Sequence, residues 1–165
     1  QYYRNNLTSL LNIVEISKKY SSNLIFSSSS TVYGNPKKFP ITEDMPFGIP
    51  PSPYGKSKKI SEEILMDISK IENFSIASLR YFNPIGAHES GLIGERPVKK
   101  PIHIMPYITQ TGIGIKKKLT IFGNNYKTKD GTCVRDFIHV NDVAEAHIKC
   151  IPFLKKNKKN IISLT

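Results

Sequence analysis

The chain has 165 residues, a formal net charge of +11 at pH 7, and 39% hydrophobic residues. This composition is typical of a globular domain and excludes disordered and fibrous classes. No apolar run approaches the roughly 18 residues of a membrane span, and the N-terminus shows no signal pattern. The two cysteines, Cys133 and Cys150, are too few for a disulfide framework or a cysteine-built zinc site. We therefore expect a cytoplasmic protein with no membrane partner.

The positive charge is concentrated in short lysine runs: Lys37-Lys38, Lys99-Lys100, Lys116 to Lys118, and Lys155, Lys156, Lys158 and Lys159. Aromatic residues do not alternate with these lysines, as they would in a base-stacking surface. We interpret the runs as solvated surface and expect no nucleic-acid partner. The alternative, a basic nucleic-acid-binding protein, predicts binding that weakens steeply with salt.

The first half of the chain alternates helical and strand patterns. Residues 5–19 have helical apolar spacing and end in Lys18-Lys19, which predicts a helix. Residues 23–28 form an apolar run that predicts a buried strand, and the proline-rich stretch from Gly34 to Pro53 predicts a loop.

The best-marked element is the following helix. Ser52 can cap it, and Pro53 suits its first position because the missing N–H has no partner there. The helix carries one apolar stripe, made of Ile60, Ile64, Leu65, Ile68 and Ile71. Residues 75–82 predict another buried strand. This order of elements is typical of a parallel sheet covered by helices.

After Asn83 the chain becomes loop-rich. We predict a short helix near 105–115, strands at 119–122 and 134–138, a helix over 141–150 capped by Asn141, and an apolar strand at 161–165. The sequence contains no internal repeat. Because Gln1 is not a start residue and the last strand stops without a turn, we expect the chain to be the middle part of a longer protein.

Tyr54 and Lys58 lie four residues apart at the start of a predicted helix, so their side chains share one face. A phenol is a poor base at neutral pH. A nearby ammonium favours the phenolate, and an oxidised nicotinamide would add a second positive charge. The pair therefore suits a proton shuttle matched to hydride transfer. Taken alone, such a spacing is more often only an exposed helical pair.

A serine run, Ser27 to Ser30, and Thr31 follow the predicted strand at 23–28. This is the carboxyl edge at which open parallel sheets bind ligands. A serine run is often only a turn. Joined to Tyr54 and Lys58, however, Ser29 completes a Ser/Tyr/Lys triad that could hold a substrate hydroxyl in line with the tyrosine.

Six strings occur in order along the chain: FSSSSTVYG, SPYGKSK, LRYFNPIGAH, MPYI, IFGNNY and DGTCVRDFIHVNDVAEAH. Together they resemble the NAD-dependent epimerases of the extended short-chain dehydrogenase/reductase group, over almost the whole chain. The resemblance implies an α/β fold with a three-layer Rossmann-type parallel sheet and a small loop-rich substrate region. Residues 1–84 and 138–165 would form the NAD-binding part, and 85–137 the part that binds a UDP-sugar.

The resemblance also implies an activity, the interconversion of UDP-galactose and UDP-glucose in galactose metabolism. Hydride would pass reversibly from sugar C4 to bound NAD through a 4-keto sugar. Tyr54 would take the proton of the 4-hydroxyl, and Lys58 would lower the tyrosine pKa and hold the nicotinamide ribose. Ser29 would hydrogen-bond the sugar hydroxyl, with Thr31 close by.

Further contacts follow from the same resemblance. Asn5 and Phe82 fall where the family contacts NAD, and Asn83, Phe122 and Arg135 where it contacts substrate. Phe122 would lie against the uracil, and Arg135 would pair with the diphosphate, whose geometry a guanidinium matches. The alternatives are that Asn5 caps the first helix, that the two phenylalanines are core residues, and that Arg135 pairs with Asp136.

At one position the chain departs from the family, which usually has Asn before Leu-Met-Pro-Tyr. Here His103 precedes Ile104 and Met105, and histidine can still donate a hydrogen bond to the nucleotide. We therefore keep His103 and Ile104 as substrate-binding candidates. The four histidines have no metal-ligand spacing, and we expect no metal.

The glycine-rich phosphate loop of the family has no counterpart in the chain. We predict that the 165 residues alone bind NAD poorly and are inactive, whereas the whole protein is an enzyme. A 4,6-dehydratase would need an acid and a base after Ser29, where the chain has Ser30, Thr31 and Val32. A UDP-glucuronate or UDP-arabinose 4-epimerase and a non-catalytic nucleotide-sugar-binding relative stay open, as does a homodimer.

Overall fold

The computed structural model describes residues 1–98, 100–156 and 161–165. Lys99, Lys158 and Lys159, which we interpreted as surface lysines, lie outside the described residues. The chain divides into two compact units. The first consists of Gln1–Phe82 and Ala144–Thr165, and the second of Asn83–Val143.

A three-stranded parallel sheet forms the centre of the first unit. Its strands are β1 (Leu24–Ser27), β2 (Ile76–Leu79) and β5 (Ile161–Leu164), in the order β1-β2-β5. Leu24 pairs with Ile76 and Ser27 with Leu79, so the two strands end at the same edge. All four residues of β2 are buried, as expected for a central strand covered on both faces.

Helices cover both faces of this sheet. On one face α1 (Tyr2–Tyr20) and α2 (Pro53–Ile71) complete a core of Leu10, Val14, Leu65, Phe74 and Ile76. On the other face α4 (Val140–Lys156) contributes to a second core of Ala77, Leu79, Cys150 and Leu154. Alternate β2 residues therefore serve alternate cores. The predicted α/β class, with a parallel sheet between helix layers, is confirmed.

Helix α2 begins as the sequence predicts. The Ser52 hydroxyl accepts a hydrogen bond from the Gly55 amide at 3.1 Å, and Pro53 occupies the first turn. The cap satisfies one of the amides that a helix N-terminus leaves without a partner. It therefore fixes where the helix begins, one residue before Tyr54.

The second unit departs from the predicted elements. It contains β3 (Asn83–Ile85), α3 (Ile104–Gly112) and β4 (Phe137–His139), and β3 pairs with β4 in parallel. The prediction of a strand at 119–122 is wrong, and the strand predicted at 134–138 is confined to β4. Ile121 and Phe122 are 70% and 87% exposed, so the apolar run buries no face that would hold a strand.

The limits of α4 also differ from the prediction. The helix begins at Val140, so Asn141 lies inside it and is not its cap, and it continues to Lys156 past Pro152. Cys150 and Leu154 lie on its buried side. Packing of that side on the sheet accounts for the extra length, since tertiary contact, more than propensity, stabilises helices.

Candidate active site

Ser29 lies two residues after the end of β1 and is the N-cap of a short 3-10 helix (Ser30–Tyr33). The side chain is buried, and its hydroxyl accepts a hydrogen bond from the Thr31 amide at 3.3 Å. The same hydroxyl lies close enough to the phenol of Tyr54, in the first turn of α2, to act on its pKa. The structure thus brings Ser29 and Tyr54 together at the carboxyl edge of the parallel sheet.

The Tyr54 phenol is half-buried, and its ring meets the ring of Tyr2 edge-on at 5.9 Å between centroids. Burial raises the pKa of Tyr54, while the nearby Ser29 hydroxyl opposes this and the phenols of Tyr81 and Tyr2 add to it. The protein groups around the phenol therefore favour its neutral form. This direction is opposite to the lowering that we expected Lys58 to cause.

The direction of the Lys58 side chain explains the difference. Its ammonium donates a hydrogen bond to the Ser27 carbonyl at 2.7 Å and lies 4.9 Å from the centre of the Phe26 ring. It lies 5.7 Å from the centre of the Tyr54 ring. Burial lowers the pKa of Lys58, and the Glu62 carboxylate opposes this. The ammonium is therefore beside the phenol but oriented toward the strand end.

Gly55 allows the loop after β1 to approach α2 closely. A Cβ at this position would lie 2.9 Å from the Pro50 Cβ and 3.1 Å from the Cβ and Oγ1 of Thr31. The Thr31 hydroxyl is buried and has no hydrogen-bond partner among the described residues. A buried hydroxyl normally has a partner, so Thr31 can still accept or donate a bond to a ligand.

Two further candidates, Asn5 and Phe82, also belong to the first unit. Asn5 is exposed inside α1, where with Arg4, Thr8 and Ser9 it lines an open groove of about 350 Å³. Since Gln1 is the N-cap of α1, the alternative that Asn5 caps this helix is wrong. Phe82 is half-buried and is the last residue of the Gln1–Phe82 part of the first unit.

The remaining candidates belong to the second unit. The Asn83 amide donates to the Asp136 carbonyl at 2.7 Å, next to the β3–β4 pairing. Arg135 is exposed, and its guanidinium donates to the Val134 carbonyl at 2.8 Å. His103 is the N-cap of α3 without a side-chain capping bond, and Ile104 is the first residue of that helix. Phe122 is so exposed that the alternative of a core aromatic is wrong.

Sequence reasoning missed one buried polar cluster beside the site. The Glu62 carboxylate and the Arg80 guanidinium form an ion pair of 2.8 Å, with side chains 0% and 5% exposed. The Ser28 hydroxyl also donates to Glu62, and Arg80 donates to the Tyr33 hydroxyl. The position of Glu62 was a signal in the sequence that this residue lies near the site, because it follows Tyr54 by two helical turns on the same face of α2.

Metal binding and membrane spanning would each need features that can be sought in the structure. Among the described residues, no group of three or more His, Cys, Asp or Glu side chains could hold a metal ion. In the same part of the chain, no helix is both long and apolar enough to span a bilayer.

Comparison with known proteins adds to this geometry. The model of the NAD-dependent epimerase/dehydratase family matches residues 1–164. The chain belongs to this family.

Relatives within the family are close in sequence. UDP-glucose 4-epimerase of Bacillus subtilis is 51% identical over 153 residues, which are 92% of this chain and 45% of the relative. The chain thus spans about half the length of the curated relatives it matches. The crystal structure of UDP-glucose 4-epimerase from Bifidobacterium longum in complex with NAD+ and UDP is 45% identical. It matches with a TM-score of 0.89 over 98% of this chain and 48% of that one.

A second family structure supports the same fold. The UDP-glucose 4-epimerase of Stenotrophomonas maltophila, with bound NAD and formylated UDP-arabinopyranose, is 41% identical and matches with a TM-score of 0.92. The match covers 99% of this chain and 49% of that one. The Rossmann-type interpretation of the sheet is confirmed.

Proposed function

We propose that the protein carrying this sequence is an NAD-dependent UDP-glucose 4-epimerase, which interconverts UDP-galactose and UDP-glucose. The observation that carries the proposal is the grouping of the Ser29 hydroxyl, the Tyr54 phenol and the Lys58 ammonium at the end of a parallel strand. Family relatives named UDP-glucose 4-epimerase, such as one that is 51% identical to this chain, support the proposal. An arrangement of hydroxyl, phenol and ammonium suits reversible removal of a proton from an alcohol.

Each side chain has one role in the proposed reaction. Tyr54 removes the proton of the sugar 4-hydroxyl and returns it after the bound 4-keto sugar has rotated in the site. Ser29 hydrogen-bonds the same sugar oxygen and favours the phenolate, since its hydroxyl opposes the rise in the Tyr54 pKa. Lys58 adds positive charge close to the ring and holds the nicotinamide ribose.

NAD is the proposed cofactor, and the residues present fit it. The open groove on α1 contains the Arg4 guanidinium and the Asn5 amide, which can bind the phosphate and hydroxyl groups of this cofactor. When bound, NAD supplies the hydride acceptor at sugar C4 and, in its oxidised form, a positive charge. Asn5, Ser29, Tyr54, Lys58 and Phe82 form the proposed cofactor-binding set.

The proposed substrate set also includes residues of the second unit. It comprises Ser29, Thr31, Tyr54, Asn83, His103, Ile104, Phe122 and Arg135. The exposure of the Phe122 ring and the Arg135 guanidinium supports contacts with uracil and diphosphate, because both groups are available to a ligand. In this proposal residues 1–84 and 138–165 bind NAD, and 85–137 bind the UDP-sugar.

Other activities on nucleotide sugars are alternatives to this proposal. A 4,6-dehydratase needs an additional acid and base near the sugar, and the turn of Ser30, Thr31 and Val32 supplies no carboxylate. A UDP-glucuronate or UDP-arabinose 4-epimerase would use the same triad, so it is separated from our proposal by substrate choice alone.

The proposal also includes a cytoplasmic location and a homodimer. Helix α1 leaves Ile13 and Ile16, which lie one turn apart, about half exposed, and a second copy could cover this apolar surface. Sedimentation of the purified protein tests the dimer. A monomeric mass at micromolar concentration would contradict it.

Conversion of UDP-galactose to UDP-glucose by the whole protein, beside its Tyr54→Phe variant, tests the function. Loss of the phenolic oxygen should lower kcat about 100-fold or more because the proton shuttle is removed. Tyr20→Phe is the matched control, since Tyr20 is 66% exposed at the end of α1 and should leave kcat unchanged.

Each other outcome has a defined meaning. If the protein is inert toward UDP-galactose but reduces its NAD with another nucleotide sugar, the substrate is wrong and the family chemistry stands. If it does neither while folded, the non-catalytic alternative replaces the proposal.

A further inference from the structure

Three side chains on one face of α2 each contact a different residue of the segment Ser27–Tyr33, which starts with the last residue of β1. Tyr54 contacts Ser29, and Lys58 donates to the Ser27 carbonyl. Glu62, one turn further along the helix, accepts a hydrogen bond from the Ser28 hydroxyl. The spacing of four residues places all three on one stripe, so α2 holds three consecutive residues of this segment.

The Arg80 guanidinium, just after β2, holds the other end of the same segment. It donates from Nε and Nη2 to the Glu62 carboxylate at 2.8–3.1 Å. From Nη1 it donates to the Tyr33 hydroxyl at 2.8 Å. The guanidinium also lies over the rings of Tyr33 and Phe47, at 5.1 and 4.9 Å from their centres. Glu62 and Arg80 together thus connect Ser28 to Tyr33, across the part of the segment that contains Ser29.

The charges in this cluster are well matched. Burial acts to lower the pKa of Arg80, but its hydrogen bonds to Glu62 and Tyr33 outweigh burial and raise the pKa. The guanidinium therefore stays charged and pairs bidentately with the carboxylate. Glu62 also favours the charged form of Lys58, so one carboxylate acts both on the segment and on the ammonium beside Tyr54.

We propose that Glu62 and Arg80 are positioning residues that act through Ser28 to hold the Ser29 hydroxyl against Tyr54. A buried ion pair adds little net stability, because desolvation offsets its Coulomb attraction. Rigid placement of the Ser29 hydroxyl explains the presence of the Glu62–Arg80 ion pair better than stability does. The inference rests on the proposed function only in so far as Ser29 and Tyr54 perform the reaction.

Ser28→Ala is the first test, because it removes one hydroxyl and changes no charge. We expect kcat for UDP-galactose to fall about 10-fold, with KM within about 2-fold, since a small misplacement of a reacting group costs rate more than binding. Glu62→Gln should lower kcat by about 100-fold. Ser61→Ala is the matched control: it is also buried on α2, but its hydroxyl has no partner among the described residues.

A spectroscopic measurement separates positioning from general loosening and does not depend on turnover. The Tyr54 phenolate is titrated by tyrosinate absorbance, using Tyr54→Phe to subtract the other tyrosines. The Ser29 hydroxyl acts to lower the Tyr54 pKa, against the larger effect of burial. Its misalignment in Ser28→Ala should therefore move the titration to higher pH, while Ser61→Ala leaves it unchanged.

The outcomes are distinct. If Ser28→Ala keeps both the kcat and the Tyr54 titration of the unmodified protein, the proposal is wrong. It is also wrong if Ser61→Ala costs as much as Ser28→Ala. If Glu62→Gln does not fold, Ser28→Ala decides alone. If the unmodified protein lacks epimerase activity, the proposed function fails, and the titration still decides whether Ser28 and Glu62 position Ser29.

Discussion

Substitution of Gly55 by alanine tests whether the close approach of the post-β1 segment to α2 matters for the reaction. Gly55 lies in the first turn of α2, directly after Tyr54, and the added methyl group would point at Pro50 and Thr31. The backbone at this position is helical, so alanine brings no conformational penalty of its own. The effect must therefore come from the contacts of the methyl group.

The distances give the size of the perturbation. The new Cβ would lie 2.9 Å from the Pro50 Cβ, and carbon atoms in ordinary contact are about 3.5–4.0 Å apart. One side must therefore move by about 0.6 Å or more. Overpacking of this kind costs about 1–3 kcal/mol, and the helix propensity of alanine returns up to about 1 kcal/mol. The net loss of unfolding free energy should be about 0–3 kcal/mol.

Activity should change more than stability. Thr31 donates its amide to the Ser29 hydroxyl, so displacement of Thr31 also moves Ser29 relative to Tyr54. Displacement of a reacting group by a fraction of an ångström should lower kcat about 10- to 100-fold. The assay is the steady-state kinetics of UDP-galactose conversion, together with urea unfolding of the same samples.

Gly112→Ala is the matched control, since Gly112 ends α3 and a Cβ there would meet no atom within 4 Å. It should keep kcat and lose no stability. The reasoning is refuted if Gly55→Ala has the kcat of the unmodified protein, or if its kcat falls only in proportion to the fraction unfolded.

Two further predictions concern the same helix. Lys58→Met should lower kcat about 100-fold or more by removing a fixed positive charge. Lys58→Met should leave urea unfolding nearly unchanged, because burial already disfavours the ammonium. The control is the exposed Lys56→Met, which should keep activity. A large loss of stability in Lys58→Met would contradict this reasoning. Tyr54 has a pKa raised by burial above its ordinary 10.0, so it contributes stability below about pH 10 that is lost as pH rises through the folded-state pKa. Urea midpoints measured across this range should fall less in Tyr54→Phe than in Tyr20→Phe, and equal declines would disprove the assignment.

The best sequence predictions were those that rest on neighbouring residues. Ser52 and Pro53 define the start of α2 through a hydrogen bond to Gly55 within one turn. The failed predictions required a distant partner. The 119–122 run pairs with no strand, whereas Asn83–Ile85, predicted as loop, is a strand because Phe137–His139 lies beside it. A short apolar run does not specify its own pairing.

The candidate site divides in the same way. The sequence by itself determined that Tyr54 and Lys58 share a helix face and that Ser29 follows a strand, since helix period and strand ends are local properties. Only the tertiary structure decided that the Lys58 ammonium points to the Ser27 carbonyl and that the Tyr54 pKa is raised by burial. It alone joined Glu62 to Arg80. These features depend on how α2 packs against β1 and β2, and burial and charge pairing arise only from such long-range packing.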